Sequence, residues 1–514
     1  MIEIPSTLTI IATLIVLLLI RVLVKYVIRP LLMVLRFKKV KGAFCKYTPP
    51  ILGFIQEMDS SLQLYNDYQY INLQRIATDP SLRLGVSCFL DTVFVDLYDP
   101  ELIKEFFSKQ TRFTIKDPRL FGPMSRLAME GLVFIEGEKW KSQRKLVSSV
   151  FHFDYMNRFI PTINQIAQEW IQENCNNNKT SAVDLHQNMK AYTSRIVWRM
   201  FFGEDGFANK EEANQLSQVA TKNTSDLNEM CMSPFNLFIG PIFFKLGLRS
   251  CDRQAQRETQ MMENFFRKKL EFYKERLEQE RASNTQSDRP KNLIELLLED
   301  SQKATDTGER LTDYEIMAQI FTFFVAGTET TSNLLIMANY CLAQNPEVQN
   351  RLREEINKYN GEITYEVLSK MEYLNAVVKE ALRLYSPADG LFPRAATEDT
   401  MLGDVLIKKG YGVNVNMRVL QGNPKFFSNP EEFRPERWIE KSDIGVKDPF
   451  MFLPFGAGGR RCIGEQLAYT EAKIILIELV RRFKIEIQKP YTLRMSLKLA
   501  YQSLDPMTAI YTKI

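Results

Sequence analysis

Apolar positions change their spacing several times along the chain, and each change predicts an element. From Ile4 to Ile20 no charge occurs, and apolar residues continue past Arg21 to Ile28. About 20 apolar residues suffice for a helix to cross a bilayer, and an arginine near its end can reach the interface. No small-residue cleavage site follows, so residues 4–28 read as a retained transmembrane anchor rather than a removed signal. Residues 29–50 read as a basic, proline-containing linker, in which Pro49 and Pro50 impose a stiff, extended course. Residues 51–514 then read as one folded body without internal repeats or long low-complexity tracts.

Helical periods dominate that body, for example over Arg257–Arg281 and Leu467–Phe483. Short β-like stretches, such as Val93–Leu97 and Gly412–Val415, are few, so the fold class is mainly α with a small β portion. Polar interruptions at 281–292 and 301–310 read as surface loops. The second leads into Thr312-Asp-Tyr-Glu315, whose spacing is that of a capping box and predicts a helix start. The helix that follows is apolar nearly all round, which predicts burial along most of its length. Yet its centre reads Ala326-Gly327-Thr328-Glu329-Thr330-Thr331. A glycine, an acid and three hydroxyls weaken a buried helix, and such a conflict marks either a functional site or a polar face on a curved helix.

Charge narrows the function classes. The first 41 residues hold seven of the 66 basic side chains and one of the 62 acids, so the net charge of +4 is local and the body is near −2. Without a concentrated basic face, nucleic acid is not an expected partner. Basic residues on the carboxyl side of the apolar run place the body in the cytosol. The sequons at Asn178 and Asn223 should then stay unglycosylated. Seven scattered cysteines with no Cys-x-x-Cys spacing fit a reducing compartment. Two isolated histidines, His152 and His186, give no zinc site or histidine-based triad.

One cysteine stands apart. In "FLPFGAGGRRCIGEQ", residues 452–466, Cys462 sits among four glycines behind Arg460 and Arg461. Glycines let a backbone turn tightly or approach a bulky partner, and flanking arginines favour the metal-binding thiolate. Upstream, Glu380 and Arg383 stand three apart on one helical face, as an internal or a solvated ion pair, and Arg437 of "FRPERW" can close a network with them. Trp140 and Arg144, four apart, can offer an indole N–H and a guanidinium to one anion.

In order, Trp140-x-x-x-Arg144, Ala326-Gly-x-Glu-Thr-Thr331, Glu380-x-x-Arg383, Phe433-x-x-Glu-Arg-Trp438 and Phe455-x-x-Gly-x-Arg-x-Cys-x-Gly464 resemble the motifs of a microsomal cytochrome P450, a haem-thiolate monooxygenase. The resemblance covers essentially the whole chain, including the anchor. It implies the cytochrome P450 fold behind one N-terminal transmembrane helix, with a catalytic domain over 51–514. It implies non-covalent haem b with Cys462 as the axial iron ligand, Phe455 against the porphyrin, and Trp140, Arg144, Arg394 and Arg460 at the propionates. Glu380, Arg383 and Arg437 would support the cysteine loop. Glu329 and Thr330 would handle oxygen and protons on the opposite haem face.

The resemblance further implies insertion of one oxygen atom from O2 into a lipophilic substrate, by hydroxylation or epoxidation. No flavin or nicotinamide fingerprint occurs in the chain, so electrons would come from NADPH–cytochrome P450 reductase, with cytochrome b5 as a further partner, at the endoplasmic reticulum membrane. Lys145 and Arg461 are candidates for meeting an acidic donor surface or are plain solvated charges. Phe121, Met124, Phe323, Ala326, Leu391 and Leu504 are candidate substrate contacts, each with core packing as its alternative. Met232–Leu248 either dips into the membrane or packs internally. In the fatty-acid-hydroxylating branch a glutamate that bonds haem covalently stands where this chain has Ala326, which argues for non-covalent haem. A haem-thiolate isomerase or dehydratase of lipid peroxides, needing neither O2 nor reductase, is the alternative reaction; the Glu329–Thr330 pair argues against it. A haem carrier without catalysis would leave that pair idle.

Overall fold

The structure is a computed structural model that describes residues 7–46, 53–89, 92–116, 131–148, 151, 153–175, 180–203, 219, 246–283, 291–303, 310–390, 394–497 and 500–514. The chain divides into two compact units, Met1–Asp117 with Gly390–Ser428, and Pro118–Asp389 with Asn429–Ile514. Pro49, Pro50, Phe121, Met124, His152, Asn178, Asn223, Leu391 and most of 232–248 lie outside the described residues.

The first unit is built on a six-stranded sheet. Its order is Ala43–Cys45, Leu84–Phe89, Thr92–Leu97, Gly412–Val415, Arg394–Ala396 and Thr114–Lys116. The two β-like runs read from the sequence are the adjacent central strands, pairing in parallel from Phe94↔Gly412 to Leu97↔Val415. Gly412 has a packing reason: a Cβ there would sit 2.5 Å from the Phe94 ring. Helix α1 (Thr7–Leu23) passes through a π-helical turn at Val24–Ile28 into α2 (Arg29–Arg36). Side chains Leu14 to Ile20 of α1 are each more than half exposed. Helix α3 (Pro100–Phe113) starts where Asp99 accepts the N–H groups of Glu101 and Leu102, with Pro100 at its first turn.

The stretch read as a linker differs from that reading where it is described. Arg29–Arg36 is helical, Ala43–Cys45 is an edge strand paired with Leu84–Val86, and Lys46 is buried, bonding Glu57 at 2.7 Å and Asn72 at 2.9 Å. Val34 and Phe37 are buried, and that apolar anchoring is why the segment is ordered.

The second unit is helical around one spine. Helices α4 (Gly137–Ser148), α5 (Leu185–Phe202) and α6 (Ser250–Ala282) precede the spine α7 (Asp313–Gln344). Helices α8 (Tyr365–Lys370), α9 (Glu372–Leu384) and α10 (Glu465–Arg482) follow it. The capping box forms as the sequence predicts: Glu315 N–H donates to Thr312 Oγ1 at 3.3 Å, and Thr312 N–H to Glu315 Oε2 at 2.9 Å. Among the described residues α7 alone is a single helix long and apolar enough to cross a membrane, α1 having 17 residues before its π-helical turn, but 78% of the apolar window of α7 is buried, as expected of a core helix. Trp198 of α5 stacks on Phe324 of α7 with ring centres 4.3 Å apart. A small antiparallel sheet, ordered Phe483–Ile487, Thr508–Lys513, Thr180–Asp184, closes this unit.

Candidate functional site

The cysteine loop comes between a buried ion network and the start of α10. Gly456 and Gly458 take φ of +68° and +66°, left-handed values that fold the loop back without a Cβ penalty. The return is closed by Cys462 N–H donating to the Phe455 carbonyl at 2.9 Å. The Phe455 ring is fixed against Tyr469 of α10, with centres 5.1 Å apart.

Cys462 is exposed at the surface of the loop, while burial of its sulfur among neighbouring groups pushes the thiol up from its usual range. The Gly464 N–H, Arg144 and Arg461 pull the other way, more weakly, while Glu465 opposes them. Of the two flanking arginines, Arg461 favours the thiolate as the sequence suggests, but its pull is smaller than that of burial. The reason is geometric. Arg461 is held by Glu465 at 2.6 and 2.8 Å, and Arg460 is turned away toward α4. A bound metal ion deprotonates a coordinating thiol outright.

Around this loop the structure assembles two of the predicted cations and the indole. The Arg460 guanidinium lies 3.8 Å above the Trp140 ring, donates to the Ile135 carbonyl at 3.0 Å and pairs with the Glu136 carboxylate. Arg144, one turn after Trp140 on α4, donates to the Arg461 carbonyl at 2.9 Å and lies close enough to Cys462 to act on its charge. The Trp140 indole N–H meets no acceptor among the described residues, although the side chain is buried. One soft sulfur beside guanidiniums and an indole donor suits an iron macrocycle with acidic substituents. Arg394 belongs to the other compact unit, where it is buried and donates to Thr114 Oγ1 at 2.8 Å and to the Thr114 carbonyl at 2.9 Å.

The Glu380–Arg383 pair is internal, not solvated. Both side chains and Arg437 are fully buried. Glu380 accepts two bonds from Arg383 and one from Arg437, each at 2.9 Å, one from Trp438 Nε1 at 2.8 Å and one from the Arg434 N–H at 3.1 Å. Arg437 also pairs with Asp443. Burial works to raise the Glu380 carboxyl, but Arg383, Arg437 and the Arg434 N–H outweigh it and hold it below the usual range.

In the centre of α7 the polar residues diverge. Thr330 is half-buried and donates to the Ala326 carbonyl at 2.7 Å, and Ala326, one turn earlier, is exposed. Glu329 instead faces α5, where Lys190 Nζ pairs with its Oε1 at 2.9 Å. Thr193 on the same face of α5 donates to the Thr328 carbonyl at 3.0 Å, and a Cβ on Gly327 would meet Val197 Cγ2 at 3.0 Å. Gly327 thus lets α5 approach, and no hydrogen bond joins Glu329 to Thr330. Phe323 packs between Phe151 and Phe201 in an aromatic core, while Leu504 is half-buried and donates its N–H to the Arg494 carbonyl at 2.7 Å.

Lys190 and Glu136 went unnoticed in the sequence. Lys190 is the single charge of 185–194 and Glu136 is one of several charges over 136–145, and only the packing of distant elements gives either its partner.

Comparison with known proteins gives the family. The family model described as Cytochrome P450 matches residues 84–508. Cytochrome P450 3A13 of Mus musculus is 30% identical over 428 residues, covering 81% of each chain. Cytochrome P450 3A9 of Rattus norvegicus is 31% identical over 420 residues, covering 79% of each. The solved cytochrome P450DA heme domain shares the fold with a TM-score of 0.72 at 22% identity, over 86% of this chain and 93% of that one. The chain belongs to the cytochrome P450 family of haem-dependent monooxygenases.

Proposed function

We propose that this monooxygenase is anchored in the endoplasmic reticulum membrane and receives electrons from NADPH–cytochrome P450 reductase, with cytochrome b5 as an accessory donor. It inserts one oxygen atom of O2 into a lipophilic substrate by hydroxylation or epoxidation; the second atom leaves as water with two electrons and two protons. The observation that carries this reading is α1, whose leucine and isoleucine side chains are exposed ahead of a basic segment. An exposed apolar helix of this kind is stable in lipid and costly in water. Lys145 is exposed and available to an acidic donor, whereas the Arg461 charge is already engaged by Glu465.

Haem b, held without a covalent bond to the chain, supplies the activation of O2 that no side chain here provides. Cys462 would ligate its iron, with Phe455 packing beside it. Trp140, Arg144 and Arg460 would hold its propionates through the indole and guanidinium donors described above, and Arg394 is assigned to the same role from its sequence position. Glu380, Arg383 and Arg437 would keep the approach to the cysteine loop rigid.

On the other face, the open surface of α7 formed by Ala326 and Thr330 would receive oxygen and substrate. The Thr330 hydroxyl, donating to the Ala326 carbonyl, keeps its oxygen lone pairs available as acceptors. Glu329 holds its carboxylate toward Lys190 and would hand on protons that arrive along that partly exposed lysine. Ala326 and Leu504 would meet substrate; Phe323 would shape the pocket from behind, since aromatic packing already holds it.

The test is turnover of the holoenzyme in phospholipid vesicles with reductase, NADPH and isotopically labelled O2. One labelled oxygen per product, dependent on NADPH, is the expected result. Conversion of lipid peroxides without O2 or NADPH would instead establish the isomerase or dehydratase. The iron ligand is tested separately: the reduced, carbon-monoxide-bound protein should show a strongly red-shifted Soret band that Cys462→His abolishes.

A further inference from the structure

A cleft of about 370 Å³ is lined in part by the cysteine loop. It is walled by α8, α9, α10 and the segment Phe452–Gly456. Two lysines reach into it, Lys379 from α9 and Lys473 from α10, and among the described residues neither has a carboxylate partner. The third cation on the wall, Arg461, is already neutralised by Glu465. The lysines have only ring faces for company: Lys379 Nζ lies 5.7 Å from the centre of Trp438, and Lys473 Nζ 5.4 Å from that of Tyr469. Such faces compensate a desolvated cation weakly.

The cost of this arrangement shows in both groups. Burial pulls Lys473 down to about 8, helped by Lys379. Burial also lowers Lys379, helped by Lys441. Aiming two half-desolvated like charges at one space is unfavourable unless an anion sits there. A dianion balances the charge of both lysines, whereas a carboxylate, even bridging them, balances one. The remaining wall combines ring surface, from Phe455 and Tyr469, with hydrogen-bonding groups from Asn375 and Thr470. The volume is that of a small-ligand site.

We propose that this cleft binds a small organic phosphate, its phosphoryl oxygens between Lys379 and Lys473 and a planar body against Phe455 and Tyr469. The assignment is independent of which substrate is oxidised and of which protein donates electrons.

The experiment is lysine acetylation of the holoenzyme at pH 7.5, mapped by peptide mass spectrometry, with phenyl phosphate as the probe and sodium chloride at matched ionic strength as the control. Saturating probe should slow labelling of Lys379 and Lys473 about tenfold, the worth of one charge-assisted hydrogen bond, and leave exposed Lys145 unchanged. Lys473→Met should abolish protection of Lys379, and Lys379→Met that of Lys473, in proteins that retain their haem spectrum. Protection should also fade as the pH rises through about 8 and Lys473 loses its proton. The titratable or charged groups facing Lys473 are Tyr365, Lys379, Arg461, Glu465 and Tyr469. Equal slowing by chloride, or parallel slowing of every lysine, overturns the proposal. So does protection by an acidic protein partner where phenyl phosphate gives none, since the cleft would then be a docking surface.

Discussion

Glu380 of α9 and Glu471 of α10 are both buried glutamates, and the protein treats them in opposite ways. Glu380 accepts five hydrogen bonds and is held ionised. Neither carboxyl oxygen of Glu471 has a partner among the described residues, and burial pushes the group well above its usual range. Its surroundings supply only Tyr192, whose hydroxyl donates to the Glu471 backbone carbonyl. Depth alone therefore does not decide the charge of a buried acid; the count of donors does. Glu329 stands between them, with a single lysine as partner.

The largest effect should come from breaking the first environment. Glu380→Gln strands two buried guanidiniums and should cost about 3 to 5 kcal/mol, read from the shift of the urea midpoint. An unchanged midpoint would mean Asp443 and the backbone carbonyls already satisfy both arginines.

The pH dependence should separate the two acids by sign. Glu380 lies below its ordinary value of 4.5 in the folded state, so its stabilisation is complete above 4.5 and is lost as the pH falls below that value toward its folded pKa. Glu471 lies above 4.5, so the unfolded chain releases a proton that the folded one keeps, and stability declines as the pH rises from 4.5 toward the folded pKa. Melting curves of Glu471→Gln should lack that decline while retaining the loss at low pH. Curves superimposable on those of the parent would show that Glu471 is ionised in the fold.

Lys190→Met removes the one partner of Glu329 from a pair whose lysine is partly exposed, and should cost about 1 kcal/mol. If Lys190 also feeds protons to Glu329, NADPH consumption per product should rise in the same variant. The smallest effect should be that of Glu471→Gln at pH 4.5, within about 0.5 kcal/mol, because an amide replaces a neutral acid of the same shape. A large loss there would reveal a donor, such as a bound water, that the acid uses.

The site was legible where its chemistry is written in adjacent residues. The cysteine loop, the capping box at Thr312–Glu315 and the Trp140–Arg144 spacing depend on local geometry, and the structure places each on the element expected. The helix and strand runs were legible for the same reason, since periodicity is local. What escaped was anything requiring two distant elements. No pattern in "LHQNMKAYT" says that Lys190 will face Glu329, 139 positions later. Nor does "RRC" say that one arginine will turn to Trp140 and Glu136 while the other folds onto α10. The thiol of Cys462 was only half legible for this reason: adjacent residues show the pull of Arg461 but not the burial set against it or the contribution of Arg144. Over its described part, residues 29–46, the segment differs from a plain linker because a basic composition conceals the few apolar residues, Val34 and Phe37, that are buried there.

The ion network around Glu380 also imposes an order of events while the chain is being made. Arg383 leaves the ribosome together with it, but Arg437, Trp438 and Asp443 follow as much as 60 positions after Arg383. At 5–20 residues per second that is a wait of roughly 3 to 12 seconds. During that interval α9 carries an ion pair it cannot yet bury. The helix must therefore stay wet until the segment preceding the cysteine loop arrives, so the loop can be set in place only after its own support has been synthesised.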